Sequence, residues 1–214
     1  MNDDVAIVGV GWEGFQQTTP DRSYKELMYA AAVRAYNDAG VDPRRDIDSF
    51  VTVAEDFHEG TSIFDEYVPD QIGAALRSVH TIPGDGIHGL ASAYMMIRTG
   101  QFDLVALEGH SKASNILTPA GITAYAQDPV HNRPMGFNTH FVAGLDMNRY
   151  LHETGITREQ CAAVVAKNRR NAKNNPRAAY GGDVEISEIM EAPSLSWPIS
   201  TAEASPHADG AIVM

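Results

Sequence analysis

A sharp break in the sequence places two chemically capable side chains at the start of a predicted helix. Pro83-Gly84-Asp85-Gly86 follows an apolar run, and His88 comes two residues later. A helix N-terminus stabilises negative charge, because its N–H groups are unpaired and its dipole is positive there. Asp85 could therefore act as a base, or His88 could donate to a carbonyl oxygen on which charge develops. The structural alternative, which we favour, makes Asp85 an N-cap and leaves His88 facing the first turn.

Four basic side chains lie close together on a second predicted helix, although the formal net charge of the protein is -12. They are those of Lys167, Arg169, Arg170 and Lys173. Such a face could bind the phosphates of a nucleotide, and an ordinary solvated helix surface fits equally well. Cys161, the single cysteine, lies near the start of the same helix beside alanines. There it is better interpreted as a small core residue than as a reactive thiol.

The remaining patterns predict no metal and no dinucleotide. The eight histidines include no pair at the spacing of a zinc site. One acidic cluster, interpreted as a solvated loop, comprises Glu55, Asp56, His58 and Glu59. Gly9, Gly11 and Gly14 match the glycine spacing of a dinucleotide loop, but no acidic residue follows on a second strand at the distance that such a loop requires.

The elements that must position these residues alternate between strands and helices. Apolar runs predict strands over 5–10, 49–53, 79–82, 104–107 and 211–214. Helical spacing predicts helices that follow a Ser23/Glu26 capping box, cover 70–77, and run from Leu90 to Gly100. Alternation of this kind predicts an α/β fold with a mostly parallel sheet flanked by helices.

A long polar segment rich in proline interrupts the alternation. Within it, helical patterns are predicted over 141–153 and 157–173, the second opening with a Thr157/Gln160 capping box. We interpret residues 115–200 as an inserted helical loop domain. The α/β core then comprises residues 1–114, and residues 201–214 supply its closing strand.

The composition narrows the partners and the compartment. Hydrophobic residues make up 43% and charged residues 21%, as in ordinary globular proteins. The negative charge argues against nucleic acid as a partner, and the apolar stretches are too short to span a membrane. The acidic start, with Asp3 and Asp4, is unlike a signal peptide, and a lone cysteine suits a reducing compartment. We therefore expect a cytoplasmic protein.

Three motifs resemble the amino-terminal half of the thiolase superfamily, most closely the sterol-carrier-type and archaeal thiolases. Residues 97–109 (IRTGQFDLVALEG), followed by Lys112 and Ser114, resemble the family's I-x-x-G-x-x-D segment and its G-x-E-K-M-S tail. Residues 155–160 (GITREQ) together with 167–176 (KNRRNAKNNP) are similar to the loop-domain pattern. Asp209-Gly210-Ala211 resembles the strand that closes the first half. The resemblance covers essentially the whole chain and implies a thiolase-like half.

This resemblance implies that the usual nucleophile is missing. Family members carry a cysteine in a C-x-S-G motif where a strand turns into a helix. An ungapped count back from Gly100 places Pro83 on that cysteine and Gly86 on the motif's glycine. A shift of three residues would put Gly86 on the cysteine and leave the conclusion unchanged. The family's other catalytic groups belong to the second half, so this chain alone is expected to be inactive.

Two functions follow from the resemblance. The first is a thiolase-like subunit that acts on CoA thioesters, breaking or forming a carbon–carbon bond by acetyl-CoA acetyltransferase-like or retro-aldolase chemistry. In that case acyl-CoA is the substrate, no cofactor is bound covalently, and Lys167, Arg169, Arg170 and Lys173 are candidates to hold the CoA. The alternative is a non-catalytic subunit that supports an active paralogue. Either function implies homo- or hetero-oligomers with thiolase-like subunits, with an OB-fold/zinc-ribbon companion as a further candidate partner.

Overall fold

The computed structural model describes residues 4–53, 67–116, 119–138 and 140–214. The strands are β1 (Gly11–Gln16), β2 (Ser49–Val53), β3 (Val79–Ile82), β4 (Val105–Ser111), β5 (Ser194–Ser196), β6 (Ile199–Ser200) and β7 (Asp209–Val213). The helices are α1 (Tyr24–Ala39), α2 (Gly86–Arg98), α3 (Pro119–Thr123), α4 (Phe141–Thr154), α5 (Arg158–Ala172) and α6 (Ile186–Glu191). The chain divides into two compact units, Met1–Leu117 with Ala208–Met214, and Thr118–His207.

The first unit contains a five-stranded sheet in the order β1-β7-β4-β2-β3. Strand β2 pairs in parallel with β3 and β4, and β7 runs antiparallel to both β4 and β1. Only β7 therefore runs against the other strands. The predicted α/β fold with a mostly parallel sheet is confirmed.

Helices α1 and α2 cover opposite faces of this sheet. Ser23 and Glu26 form the predicted capping box at the start of α1, and Gly40 ends the helix with a φ of 69°. Leu27 and Met28 of α1 pack against Phe50 in the larger apolar cluster. On the other face, Ala93 of α2 packs with alternate residues of β2 and β4. Side chains alternate along a strand, so successive residues of β4 face different helices.

Two predicted elements of this unit are wrong. Residues 5–10 form no strand; the neighbouring segment, β1, pairs with β7 instead. Gly9 and Gly11 lie so close to α1 that a Cβ would come 2.5 Å from the carbonyl oxygen of Ala35 and 2.1 Å from that of Ala31, respectively. Glycine at these two positions therefore allows the chain to approach α1 closely. The pattern of apolar residues in the sequence does not reveal this contact. Residues 70–77 form turns rather than a helix, because Gly73 and Leu76 both have positive φ.

The second unit is mainly helical. Both predicted helices are present as α4 and α5, and the Thr157/Gln160 capping box opens α5. Ala162 and Ala166 of α5 pack against Ile189 of α6. Strands β5 and β6 form a small antiparallel pair. Across the described ranges of both units, no helix is long and apolar enough to cross a membrane.

Candidate functional site

The turn between β3 and α2 positions Asp85 and His88. Asp85 is the N-cap of α2, as the structural interpretation expects, and its Oδ1 accepts hydrogen bonds from the backbone N–H groups of Ile87 at 3.0 Å and His88 at 3.3 Å. These bonds satisfy two of the donors that a helix start leaves free. Pro83 lies two residues before this cap, immediately after β3.

Asp85 also contacts the ring of His88. The distance from His88 Nδ1 to Asp85 Oδ1 is 3.1 Å, and the two side chains are 67% and 71% exposed. Gly84 leaves room for the ring, because a Cβ at this position would lie 3.1 Å from His88 Nδ1. When Nδ1 carries the proton it donates to Asp85, which leaves Nε2 as the acceptor on the other side of the ring. The cap can thus also fix the tautomer of a neighbouring histidine.

A cavity of about 610 Å³ opens beside this turn on the α2 face of the sheet. Residues from all five strands of the sheet or the loops next to them surround it. Its lining consists of Phe15, Val53, Gly84, Asp85, Gly86, His88, Gly109, His110, Ser111, Ala208, Asp209, Gly210 and Ile212. Polar groups therefore meet small and apolar residues in one concave space, the usual composition of a ligand site.

Strand β4 carries ionisable residues on the opposite face of the sheet from the cavity. The side chains of Glu108 and His110 are 1% and 0% exposed, with Glu108 Oε1 2.9 Å from His110 Nδ1. The His110 ring stacks on Tyr24 of α1 at 5.7 Å between centroids. Burial, followed by the charge of Glu108, raises the pKa of Tyr36. The backbone of His110 therefore borders the cavity, whereas its side chain lies on the α1 side of the sheet.

Lys112 continues this buried polar layer by pairing with Asp209. Lys112 Nζ donates to Asp209 Oδ2 at 2.7 Å, to the Thr19 carbonyl at 2.9 Å and to Ser114 Oγ at 2.8 Å. Asp209 also accepts hydrogen bonds from Thr19 and Ser114. Burial alone would raise the pKa of Asp209, but the bonds from Lys112, Ser114 and Thr19 outweigh it and lower the pKa to about 2. The network joins the ends of β4 and β7, both of which border the cavity.

The four predicted basic residues lie in the second unit, where they make different contacts. Arg169 donates to the Ala202 carbonyl at 3.3 Å and lies 6.0 Å from the centre of the Tyr180 ring. Arg170 and Lys173 both pair with Asp183, whose pKa is lowered chiefly by the hydrogen bond from Lys173. Lys167 is exposed. Arg169 therefore has a local structural role, whereas Lys167, Arg170 and Lys173 present charge to solvent. Their role in holding CoA stays a prediction.

The structure brings Asp85 and His88 together at one cavity, while their catalytic role stays a prediction. It also adds residues that sequence reasoning missed. Phe15 and Ser111 also line the cavity, and Glu108 and His110 form a buried pair behind it. The alternation of Glu108, His110 and Lys112 along a strand was the available signal for the buried layer. Cys161 is not among the cavity-lining residues. The described parts of the chain contain no cluster suited to a metal, and the acidic cluster of residues 55–59 lies outside them.

Comparison with known proteins gives consistent matches. Residues 5–186 match the family described as Thiolase, N-terminal domain. The chain is 29% identical, over 97% of its length, to an Acetyl-CoA acetyltransferase of Methanothermobacter thermautotrophicus, and covers 55% of that protein. It is 25% identical, over 100% of its length, to the 17-hydroxy-3-oxo-4-pregnene-20-carboxyl-CoA lyase of Mycobacterium tuberculosis, of which it covers 57%.

Among solved structures, the Ltp2-ChsH2(DUF35) aldolase matches 97% of the chain with a TM-score of 0.74 and 24% identity. The match covers 54% of that structure's chain. The protein thus shares its fold with this structure and spans about half the length of the curated relatives it matches.

Proposed function

The chain belongs to the thiolase family, and on that basis we propose that it supplies one side of an active site that cleaves or forms a carbon–carbon bond in a CoA thioester. The proposed chemistry is of the aldol type and forms no acyl-enzyme. The observation that carries this proposal is the turn that follows Pro83 and leads into α2, where Asp85 and His88 line the cavity.

A covalent mechanism would need a nucleophile at this turn. The resemblance assigns the position of the family's cysteine to Pro83, and proline has no group that could attack a thioester. Cys161 belongs to the second unit, on α5. Aldol chemistry requires only a base and a means of stabilising an enolate, both of which a histidine and a helix N-terminus can provide.

We assign the acid–base role to His88 and an orienting role to Asp85. In the cleavage direction, Nε2 of His88 removes the proton of the 3-hydroxyl group of a 3-hydroxyacyl-CoA. The C2–C3 bond then breaks, C3 becomes a carbonyl carbon, and the electron pair passes to the thioester as an enolate. His88 returns the proton to C2, which yields a carbonyl compound and a shortened acyl-CoA. Asp85 already binds the N–H groups of Ile87 and His88, so the α2 dipole, and not these donors, is the proposed stabilisation of the negative charge that develops on the thioester oxygen.

Lys167, Arg170 and Lys173 are the proposed contacts for the phosphates of CoA. Their exposure and charge support this role, and Asp183 must be displaced or outweighed when a phosphate binds beside Arg170 and Lys173. CoA is proposed as part of the substrate, with no covalently bound cofactor. Arg169 contributes to this site mainly by bracing α5 against the segment around Ala202.

We further propose that the active assembly contains at least one additional thiolase-like half or subunit. The exposed apolar side chains of Ile87, Leu90 and Tyr94 support this, because their spacing puts them on one face of α2. The name of the matched Ltp2-ChsH2(DUF35) aldolase has two components, which supports a second, different subunit as a partner. An OB-fold/zinc-ribbon companion stays the candidate that the family resemblance implies. The alternative of a non-catalytic supporting subunit predicts the same assembly without dependence on His88.

The test compares two reactions in the assembled protein, purified with its natural partners. We expect cleavage of 3-hydroxyacyl-CoA and no thiolysis of 3-ketoacyl-CoA. His88→Gln should lower kcat for cleavage by about 100-fold or more. Asp85→Ser, which keeps the helix cap, should also lower kcat, since it removes the group that orients His88. Asp85→Ala should lower kcat equally and additionally cost about 1 kcal/mol of stability.

The outcomes separate the candidate functions. Thiolysis by the wild-type assembly, trapped as an acyl-enzyme, would contradict the non-covalent mechanism. Cleavage that is unaffected by His88→Gln would move the catalytic role away from this turn. An assembly that forms normally, binds no acyl-CoA and cleaves nothing would favour the supporting subunit.

A further inference from the structure

Phe15 adopts a backbone conformation that side chains rarely occupy. Its φ is 62°, and the register between β1 and β7 shifts between Gly14 and Gln16, so that Phe15 is the extra residue of a bulge. A left-handed conformation is strained for any residue other than glycine. Bulges of this kind re-aim side chains and are common beside functional sites.

The bulge determines which face of the sheet Phe15 occupies. Gly14 pairs with Gly210, and in a regular ladder residue 15 would pair with Asp209, whose side chain lies on the α1 face with Lys112. The shift gives that place to Gln16 and releases Phe15. Ala211 packs in the α1-side cluster, so Gly210 faces the opposite side, toward the cavity.

The absence of a side chain at Gly210 leaves space for Phe15. A Cβ at Gly210 would lie 2.9 Å from the backbone nitrogen of Phe15 and 3.3 Å from its ring atom Cδ2. The ring therefore occupies the position that a side chain at residue 210 would fill, on the cavity face of the sheet. This gives the glycine of the Asp209-Gly210-Ala211 motif a physical reason.

Phe15 also stands far from the proposed reacting groups. It belongs to β1, an outer strand of the sheet, whereas His88 belongs to α2. The start of α2, next to His88, packs over Val53 of β2 and Leu107 of β4, two to three strand positions from β1. With strands about 4.8 Å apart, this places Phe15 roughly 10–14 Å away across the sheet. Phe15, Val53 and Ile212 are the large apolar residues of the cavity lining. A substrate whose carbonyl lies near His88 would point its apolar end toward this wall.

From this geometry we infer that Phe15 is a specificity-determining residue, whose ring closes the far end of the cavity and limits the length of the acyl group beyond C3. The inference rests on the proposed function and adds that the same site selects substrates by the length of the acyl group. Removing the ring should let longer acyl groups enter, while His88 and Asp85 stay in place.

The experiment uses the complete assembly and a series of 3-hydroxyacyl-CoA esters of increasing chain length. Phe15→Ala should raise the ratio of kcat/KM for long over short substrates about tenfold or more, since each methylene that gains or loses a place contributes about tenfold or more. Phe15→Gly should give the same shift and a higher thermal stability than Phe15→Ala, because glycine adopts positive φ without strain. Leu76→Gly is the matched control: Leu76 also has positive φ, at 63°, but is not among the residues that line the cavity. It should raise stability without changing the length ratio.

Calorimetry with the corresponding acyl-CoA series supplies a second readout that does not need turnover. A length ratio and binding profile that stay unchanged in both Phe15 variants would overturn the inference. If the wild type cleaves no substrate while Phe15→Ala still improves the binding of long acyl-CoA, that result would support the role of Phe15 in limiting acyl length and would contradict the proposed reaction. If wild type and variants bind no acyl-CoA of any length, both are wrong.

Discussion

Lys112 Nζ lies 2.7 Å from Asp209 Oδ2, and both side chains are almost completely buried. The pair connects the end of β4 to the start of β7 across the edge of the proposed active site. Thr19 and Ser114 supply the remaining hydrogen bonds, so neither charge is left without partners. A buried pair of this kind is costly to break, because removal of one member leaves the other buried without its counterion.

We predict that Asp209→Asn destabilises the protein by about 3–5 kcal/mol at neutral pH, because it leaves the buried Lys112 without its counterion. The pKa of Asp209 is lowered from 3.8 to about 2 in the folded state, so its contribution is fully present above the unfolded pKa. It is lost as pH falls through about 2. Denaturant unfolding as a function of pH should therefore show a flatter acid limb in the variant. Asp183→Asn, at an exposed pair, should change stability little; an equal effect of both substitutions would contradict the role of burial.

The second prediction concerns the vacant nucleophile position. Pro83→Cys should introduce a thiol that is alkylated faster than Cys161 and has a lowered pKa, because it would lie next to the start of α2. The rate of alkylation as a function of pH measures both properties. Leu76→Cys provides an exposed thiol away from a helix start for comparison. A thiol at residue 83 that reacts no faster than this control would mean that the motif has been misplaced.

The third prediction tests the proposed CoA contacts with changes of opposite sign. Arg170→Glu and Lys167→Glu should weaken acyl-CoA binding about tenfold or more at moderate salt, as expected for a charge-assisted contact. Asp183→Asn should strengthen it, because Arg170 and Lys173 lose the carboxylate that competes with a phosphate. All three effects should shrink as ionic strength rises.

Calorimetry on the assembled protein at two salt concentrations measures these affinities. Arg169→Glu should instead lower stability, because Arg169 donates to the Ala202 carbonyl within its own unit. Unchanged affinity in the Lys167 and Arg170 variants would contradict the proposal that these side chains bind the phosphates of CoA.

The fourth prediction is that the protein is not a monomer in its native assembly. Sedimentation should report a larger species, and Tyr94→Lys should dissociate it by placing a charge on the apolar face of α2. Tyr29→Lys, at an exposed tyrosine of α1, is the matched control and should leave the assembly intact. A stable, monodisperse monomer would count against the proposed partnership.

Some features could be predicted because short-range chemistry specifies them. The Ser23/Glu26 and Thr157/Gln160 pairs identified two helix starts correctly, since a capping box joins residues only three positions apart. Asp85 was recognised as an N-cap for the same reason. The strand over 49–53 was correct because a buried parallel strand is rich in apolar residues, and the strand over 79–82 because three of its four residues are β-branched. The family resemblance likewise depended on motifs in the linear sequence.

Tertiary structure alone decided which distant residues meet. Nothing local to Phe15 indicates that it bulges away from Asp209 to occupy the space at Gly210, because that choice depends on the pairing of strands almost 200 positions apart. The pairing of Lys112 with Asp209, 97 positions away, has the same origin. The sequence by itself thus determined the helix starts, the fold class and the lack of a cysteine at the turn. Only the packed sheet decided the wall of the cavity and the buried charges behind it, because both arise from contacts between separate elements.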